Sequence, residues 1–339
     1  MPNTISSTTN SSASRGTCLV VGAGIAGLMA ARSLLDAGFG VKVLEKARGV
    51  GGRMATRRFG DAVFDHGAQF VTARDTRFQS YIDMWQREGI VEHWTNGFAS
   101  NRERKKSGSH SRYRAHPGMT AIPKALSAGV DVELNTPVRS VTVRSGRWHA
   151  ISETKGSFEG EALILTPPVP QSLRLLESGG ITLSQDAGTD LRQIHYHSCI
   201  ALMLIFDEPS AIPRPGAIQF EGSPIRWMAD NQQKGISLHK PAVTIHAAPE
   251  FSSEHWTATD EEVLERLIHV AAPWLPEKVQ QYQVHRWLYS QPVDLGRCEN
   301  ITLPGSPPLL FAGDAFAGGR VEGAALSGLR AADWLIANS

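Results

Sequence analysis

One stretch constrains this chain more than any other. The short apolar run Thr17–Val21 leads into Gly22-Ala23-Gly24-Ile25-Ala26-Gly27, then into Leu28, Met29, Leu34 and Leu35 at near-helical spacing, with Gly38 as a stop. A buried strand that turns on glycines into a helix is the context in which Gly-x-Gly-x-x-Gly carries meaning. Gly22 permits the tight turn, and Gly24 lets the main chain approach a diphosphate. Gly27 lets the helix lie close on the strand, and the helix start around Ala26 offers free N–H groups to an anion. A second strand, Val41–Leu44, closes with Glu45, eighteen residues after Gly27. An acid there accepts hydrogen bonds from both ribose hydroxyls and repels a 2′-phosphate. Together these form a βαβ unit for a dinucleotide, joined by the right-handed crossover that parallel strands require.

The rest of the chain alternates in the same way. Asp131–Leu134, Val138–Val143 and Ala162–Leu165 read as strands, the last ended by Pro167 and Pro168. Cys199–Phe206, Ala242–Ala247 and Gln283–Leu288 read as strands of a second sheet, and Glu261–Ala272 as a helix. A last strand, Leu309–Ala312, meets Gly313-Asp314, and a final helix runs from about Gly323 to Ile336. With 339 residues there is room for one large α/β domain or two interleaved ones. The 34 basic and 33 acidic residues nearly cancel, which gives no reason to expect nucleic acid or an anionic membrane as partner. No apolar run is long enough to span a bilayer. Cys18, Cys199 and Cys298 lie far apart with no metal-type spacing, a set that fits a reducing cytoplasm. The Ser/Thr-rich residues 1–16 lack the apolar segment of a secretory signal and are read as a disordered tail rather than a transit peptide. The basic stretch Arg102–Arg114 is read as a solvated loop, or alternatively as an electrostatic lure for a phosphate-bearing substrate.

Two further motifs separate FAD from NAD. Lys46-Ala47-Arg48-Gly49-Val50-Gly51-Gly52-Arg53 directly follows Glu45 and resembles the Arg-x-Gly-Gly-Arg extension of flavin-dependent amine oxidases. Phe311-Ala312-Gly313-Asp314, followed by Gly319-Arg320-Val321-Glu322-Gly323-Ala324-Ala325, resembles the second FAD-contacting motif of that superfamily. In that reading Asp314 accepts a hydrogen bond from the ribityl chain. The final helix would point its N-terminus at the N1–C2=O edge of the flavin and stabilise the charge that builds there. No second Gly-x-Gly-x-x-Gly follows a strand, so electrons are expected from a substrate bound over the flavin. No cysteine lies near the C-terminal glycine motif, so the FAD is expected to be non-covalent.

Within the superfamily the chain resembles renalase, particularly its bacterial members. The resemblance rests on Asp65-His66-Gly67-Ala68-Gln69-Phe70-Val71-Thr72-Ala73-Arg74-Asp75, His116-Pro117-Gly118-Met119, His285-Arg286-Trp287-Leu288-Tyr289 and Gly319–Gly323. It implies an α/β fold: a Rossmann-type, p-hydroxybenzoate-hydroxylase-like FAD-binding domain with a second α+β substrate domain on a mostly antiparallel sheet. The expected division is residues 17–75, 115–170 and 295–339 for FAD, and 76–114 and 171–294 for substrate. Cofactor contacts are expected from Gly22, Gly24, Ala26, Gly27, Glu45, Lys46, Gly52, Arg53, Gln69, Val138, Gly313, Asp314, Glu322, Gly323 and Ala324. The implied reaction is hydride transfer from 2- or 6-dihydro forms of NAD(P) to flavin N5, with dioxygen reoxidising the flavin to give hydrogen peroxide. A monomer or dimer is expected.

On the substrate side the second sheet offers Trp227, His246, Trp287 and Tyr289 as catalytic candidates. Aromatic rings suit a planar dihydropyridine, and His246 suits a carboxamide or the flavin edge. Trp287 and Tyr289 share strand parity and face one side, although tryptophans at strand spacing also serve as plain core. Arg286 and Arg320 are candidates for a substrate diphosphate. Two other reactions fit the motifs. A small-amine oxidase would need an aromatic cage and a lysine near the flavin; Lys234 and Lys240 are the nearby lysines, in a segment read as a loop. A desaturase or isomerase would need an apolar tunnel. A non-catalytic, redox-sensing flavoprotein is the remaining reading.

Overall fold

In the computed structural model, residues 15–101, 110–293, 295, 300–301 and 307–339 are described. Most of the Ser/Thr-rich tail, residues 102–109 of the basic stretch and Cys298 lie outside that set.

The first sheet contains β1 (Thr17–Val21), β2 (Gly40–Leu44), β8 (Val132–Glu133), β12 (Ala162–Leu165), β18 (Asn300–Ile301) and β19 (Leu309–Phe311), in the order β18-β19-β12-β1-β2-β8. All neighbours are parallel except β18 on β19. Helix α1 (Ile25–Asp36) makes the crossover from β1 to β2. A Cβ on Gly27 would stand 2.1 Å from the Gly22 carbonyl oxygen, so only glycine lets α1 settle this close to the turn. The final helix, α9 (Val321–Ala337), crosses α1 at a second such point, where a Cβ on Gly328 would lie 2.1 Å from the Ala26 carbonyl oxygen.

The predicted strands and helices occur with shifts at their ends. The strand expected at 138–143 is β9 (Val138–Arg144), which pairs not with the parallel sheet but with β10 (Arg147–Ser152), itself paired with β11 (Ser157–Gly160). A one-turn helix, α8 (Asp314–Ala317), intervenes between β19 and α9.

The second sheet has the order β17-β13-β16-β15-β14-β6, from β6 (Ala99–Ser100), β13 (Tyr196–Ile205), β14 (Ala217–Gln219), β15 (Ile225–Asp230), β16 (Ala242–Ala247) and β17 (Gln281–Pro292). Only β6 on β14 is parallel. Its face carrying Ile200, Leu202, Leu204, Met228, Val243 and Ile245 packs on α7 (Asp260–Ala271) through Val263, Leu267 and Ala271. Each of the Val, Leu, Ile and Met side chains taken fully out of water contributes roughly 1.5–3 kcal/mol. Helix α7 starts at a capping box, in which Thr259 and Glu262 satisfy each other's backbone N–H groups. The opposite face meets the hairpin β3 (Thr56–Phe59) and β4 (Ala62–Asp65), where Phe64 packs with Met203, Ile205 and Ala242. Strands β5 (Val91–Thr95) and β7 (Arg112–Ala115) form a small ribbon. The remaining helices are α2 (Thr76–Arg87), α3 (Ala121–Ser127), α4 (Val169–Ser178), α5 (Gln185–Arg192) and α6 (Pro249–Glu254). No helix among the described residues is long and apolar enough to cross a membrane.

Candidate active site

At the C-terminal edge of the first sheet, Gly22 has φ +102° and sits against Thr166, whose hydroxyl donates to the Val21 carbonyl at 2.8 Å. No side chain caps α1, so its first N–H groups keep their capacity for an anion. A Cβ built on Gly24 meets nothing within 4 Å, which leaves a clear approach to the helix start beside Ala26. Gly51 donates its N–H to the Ala23 carbonyl at 2.9 Å, and Gly52 lies over Gly24 Cα. Glu45 is buried, and its two carboxylate oxygens accept from the Ala23 and Ala47 N–H groups, each at 2.8 Å. Each oxygen keeps further acceptor capacity for a hydroxyl. Lys46 is exposed, and Val138 begins β9 just beyond Thr136, whose N–H binds the Glu45 carbonyl.

The two ends of the chain meet through Arg53 and Asp314. The guanidinium forks onto both carboxylate oxygens at 2.7 Å and also donates to the Ser290 carbonyl at 3.1 Å. Burial alone would lower the Arg53 pKa, but the Asp314 charge and hydrogen bonds outweigh it and the net shift is upward. Tyr196 stands beside this pair and is pushed up to about 12, chiefly by burial. Gly313 is tied by its N–H to Ser327 of α9 at 3.1 Å. Helix α9 has no side-chain cap, and Gly323 lies so close to α8 that a Cβ would meet the Gly318 carbonyl oxygen at 2.1 Å, with Ala324 beside it. Glu322 points elsewhere: its carboxylate accepts from the N–H groups of Arg74 and Asp75, at 2.5 and 2.8 Å. Asp75 in turn caps α2. The Glu322 side chain therefore ties α9 to the start of α2.

On the second sheet a single row crosses four strands, with Trp227 opposite His246, His246 opposite Ala201, and Ala201 opposite His285. Residues in register share a face. Over this row lies the loop after β4. The His66 carbonyl accepts from Trp287 Nε1 at 2.9 Å and is 3.1 Å from His246 Nε2, which as the protonated nitrogen donates to it. The His66 ring stands 4.9 Å from His285 and 5.2 Å from Trp287. His66 is lowered to about 3 and His246 to about 4, both first by burial, and His285 is lowered for the same reason. All three imidazoles are neutral at pH 7.

Tyr289 lies further along β17, its hydroxyl accepting from Arg174 at 3.3 Å and its ring 5.6 Å from Tyr196. Trp227 belongs to an aromatic group with Phe70, Trp94 and Phe98. These rings carry the chain's own cations: Lys234 Nζ lies 5.2 Å from the centre of Trp94, and the Arg112 guanidinium 5.1 Å from Phe98 and 5.9 Å from Phe70.

Several residues sit differently from expectation. Lys234 is in a turn, as read, but its side chain is fully buried and pairs with the equally buried Asp65 at 2.6 Å. Asp65 also accepts from the Thr56 hydroxyl and the Met119 N–H. Arg286 has the wrong parity for the site. It faces α7, bound to Asp260 at 2.6 Å and to the carbonyls of Trp256 and Ala258. Arg320 is the exposed residue before α9. Gln69 Nε2 donates to the Asp65 and Gly67 carbonyls, while its Oε1 is buried without a partner. His66, His285, Phe70, Trp94 and Phe98 were not among the candidates. The paired histidines of Asp65-His66 and His285-Arg286-Trp287 were the available signal.

A glycine-rich turn into α1, an uncapped C-terminal helix and a second sheet with an aromatic row suit a flavin-dependent oxidoreductase. Residues 89–336 match the family of flavin containing amine oxidoreductases, and residues 20–85 match the NAD(P)-binding Rossmann-like domain. The chain belongs to the flavin containing amine oxidoreductase family, and its cofactor is FAD. It is 25% identical to renalase of Mus musculus over 332 residues, covering 92% of this chain and 96% of that protein. It is 43% identical to putrescine oxidase of Kocuria rosea over 65 residues, 19% of this chain and 14% of that one. The structure of putrescine oxidase bound to putrescine superposes with a TM-score of 0.71 at 18% or lower identity across that series, 17% for this pair, covering 95% of this chain and 99% of the other.

Proposed function

We propose that this chain oxidises isomeric dihydronicotinamide dinucleotides, the 2- and 6-dihydro forms of NAD(P), to NAD(P)⁺. The substrate ring loses a hydride, and dioxygen with that hydride and one proton becomes hydrogen peroxide. FAD, when bound, supplies the two-electron acceptor between them. Gly24, Glu45, Arg53, Asp314 and the starts of α1 and α9 are the groups that would hold it. The observation that supports the reading is the geometry of the aromatic site: its ring faces already hold Lys234 and Arg112, Asp65 pairs with Lys234, and burial holds its histidines toward the neutral form.

An electron-rich dihydropyridine needs neither a base nor a cation cage; it needs orientation against planar groups. Trp287 and His246 supply rigid planes because both are anchored on the His66 carbonyl. Asp65 neutralises Lys234, so the pyridinium formed does not face an unpaired ammonium. The positive end of α9 favours the negative charge that hydride transfer creates on its partner. Amine oxidation, which the name of putrescine oxidase carries, would require an aromatic cage and a lysine with a free ammonium. Here Asp65 and Trp94 occupy Lys234.

The test is anaerobic rapid mixing of the FAD-loaded protein with 2- and 6-dihydro-NAD, ordinary NADH and a panel of amines. Fast bleaching of the flavin by the isomeric dinucleotides, with NADH slow, is the expected result. Bleaching by amines alone would replace this reading with amine oxidation, and bleaching by none would remove both.

A further inference from the structure

An acid in the first turn of a helix ordinarily answers the positive charge of its own N-terminus and stabilises the helix by doing so. Glu322 stands in the first turn of α9 and does otherwise. No side chain caps α9, and its own bonding begins with Ala324, whose N–H binds the Arg320 carbonyl at 3.0 Å. The N–H groups of the turn before Ala324 have no acceptor within the helix. The Glu322 carboxylate is buried and is committed elsewhere, to the main-chain N–H groups of Arg74 and Asp75 at 2.5 and 2.8 Å. Hydrogen bonds to an ionised acceptor are roughly twice as strong as neutral ones.

The segment that Glu322 grips is itself fixed. The Asp75 carboxylate accepts from the Arg77 and Phe78 N–H groups at 2.8 and 3.3 Å and caps α2, whose Phe78 is buried. Beside Glu322, Gly323 lies against α8, where a Cβ would stand 2.1 Å from the Gly318 carbonyl oxygen. The first turn of α9 is therefore held from two sides, by main-chain contact with α8 and by the Glu322 side chain on the start of α2. A second tie between α2 and α9, Arg77 to Asp333, is exposed and lies about three turns further along, too far to orient the first turn.

We propose that Glu322 is a positioning residue for the flavin: by binding Arg74 and Asp75 it aims the free N–H groups of α9 at the cofactor and keeps its own carboxylate off them. It acts through the main chain of α9 and needs no contact with the flavin. What serves this role is the reach of the side chain and its acceptor oxygen, not its charge. The inference concerns FAD alone and is independent of which substrate is oxidised.

The test is the two-electron midpoint potential of the FAD-loaded protein, measured by anaerobic reduction against a reference dye with no substrate present. Reduction builds negative charge on the flavin, and correctly aimed N–H groups stabilise it. Glu322→Gln keeps the acceptor oxygen and loses the charge; the ratio of reduced to oxidised flavin at a fixed potential is expected within about twofold of the parent. Glu322→Met has similar length and no such acceptor, and is expected to lower that ratio roughly five- to tenfold, a tenfold change being about 30 mV for this couple. The two readings differ in sign, since loss of a nearby negative charge alone would raise the ratio. The same shift in both variants would show that the flavin senses the charge of Glu322 and not its reach, and parental potentials in both would show that it senses neither. Either result overturns the inference and leaves the oxidase reading to its own test. Should the methionine variant fail to retain FAD, Glu322→Asp takes its place: it keeps the charge one methylene short of the two N–H groups. The same fall is expected there, and a parental potential would overturn the inference.

Discussion

Neighbouring glycines of the nucleotide turn do opposite work, and single substitutions separate them. At Gly24 the backbone has φ −76°, which any residue adopts, and a Cβ meets no atom within 4 Å. Gly24→Ala should therefore fold like the parent, within about 0.5 kcal/mol, and lose FAD affinity by tenfold or more. Purification with full flavin occupancy would refute the role given to Gly24. At Gly27 the added Cβ meets the Gly22 oxygen and Val20, so Gly27→Ala strains the packed turn itself and costs about 1–3 kcal/mol in urea unfolding of the apoprotein. The buried pair gives a second residue-level test. Lys234→Met leaves Asp65 charged and enclosed, at a cost of about 3–5 kcal/mol, whereas adding Asp65→Asn should recover most of it. Urea midpoints of the two single variants and the double variant measure the difference; equal costs for single and double would show that the pair does not act as a unit.

In the proposed reading helices α1 and α9 bring their N-termini to the cofactor from opposite ends of the sequence, and the two helices cross in close contact at Gly328 and Ala26. Gly328→Ala places a methyl 2.1 Å from the Ala26 carbonyl oxygen and must push the helices apart. Residue 328 lies more than one turn inside α9, yet the expectation is weakened FAD retention on gel filtration together with faster amide exchange in α1. Retained FAD with unchanged exchange would show that the crossing does not control the site. Both helices were legible in the sequence because apolar periodicity and glycine punctuation are local signals. The same holds for β12, stopped by Pro167, and for β13 and β16, which are nearly continuous apolar runs. The hairpin β3–β4 was not legible: its strands are four residues each, and Arg57 and Arg58 are exposed. The burial of Lys234 was equally hidden, since the acid that permits it lies 169 residues away. His66 works through its main-chain carbonyl, a role that no side-chain pattern announces.

Polar contacts join the second sheet to the segments that pack on it, beside the apolar packing of Phe64 on Met203, Ile205 and Ala242: Arg53 to Ser290, Lys234 to Asp65, and His246 and Trp287 to His66. This makes the stability of the whole molecule sensitive to mild acid. His66 and His246 stay neutral in the folded protein down to about pH 3 and about pH 4, while in the unfolded chain each takes a proton near 6.5. Between those values the unfolded state binds more protons, so stability is present above pH 6.5 and is lost as pH falls. From pH 7 to pH 5 each histidine removes roughly 2 kcal/mol, or about 4 kcal/mol for the two. Urea unfolding of the FAD-loaded protein at pH 7, 6 and 5 should show this decline, and His66→Phe, which keeps the main-chain carbonyl of this contact, should halve it. A parent protein that loses less than about 1 kcal/mol over that range would show that protons reach these imidazoles in the folded state, and that the site is wetter than its packing indicates.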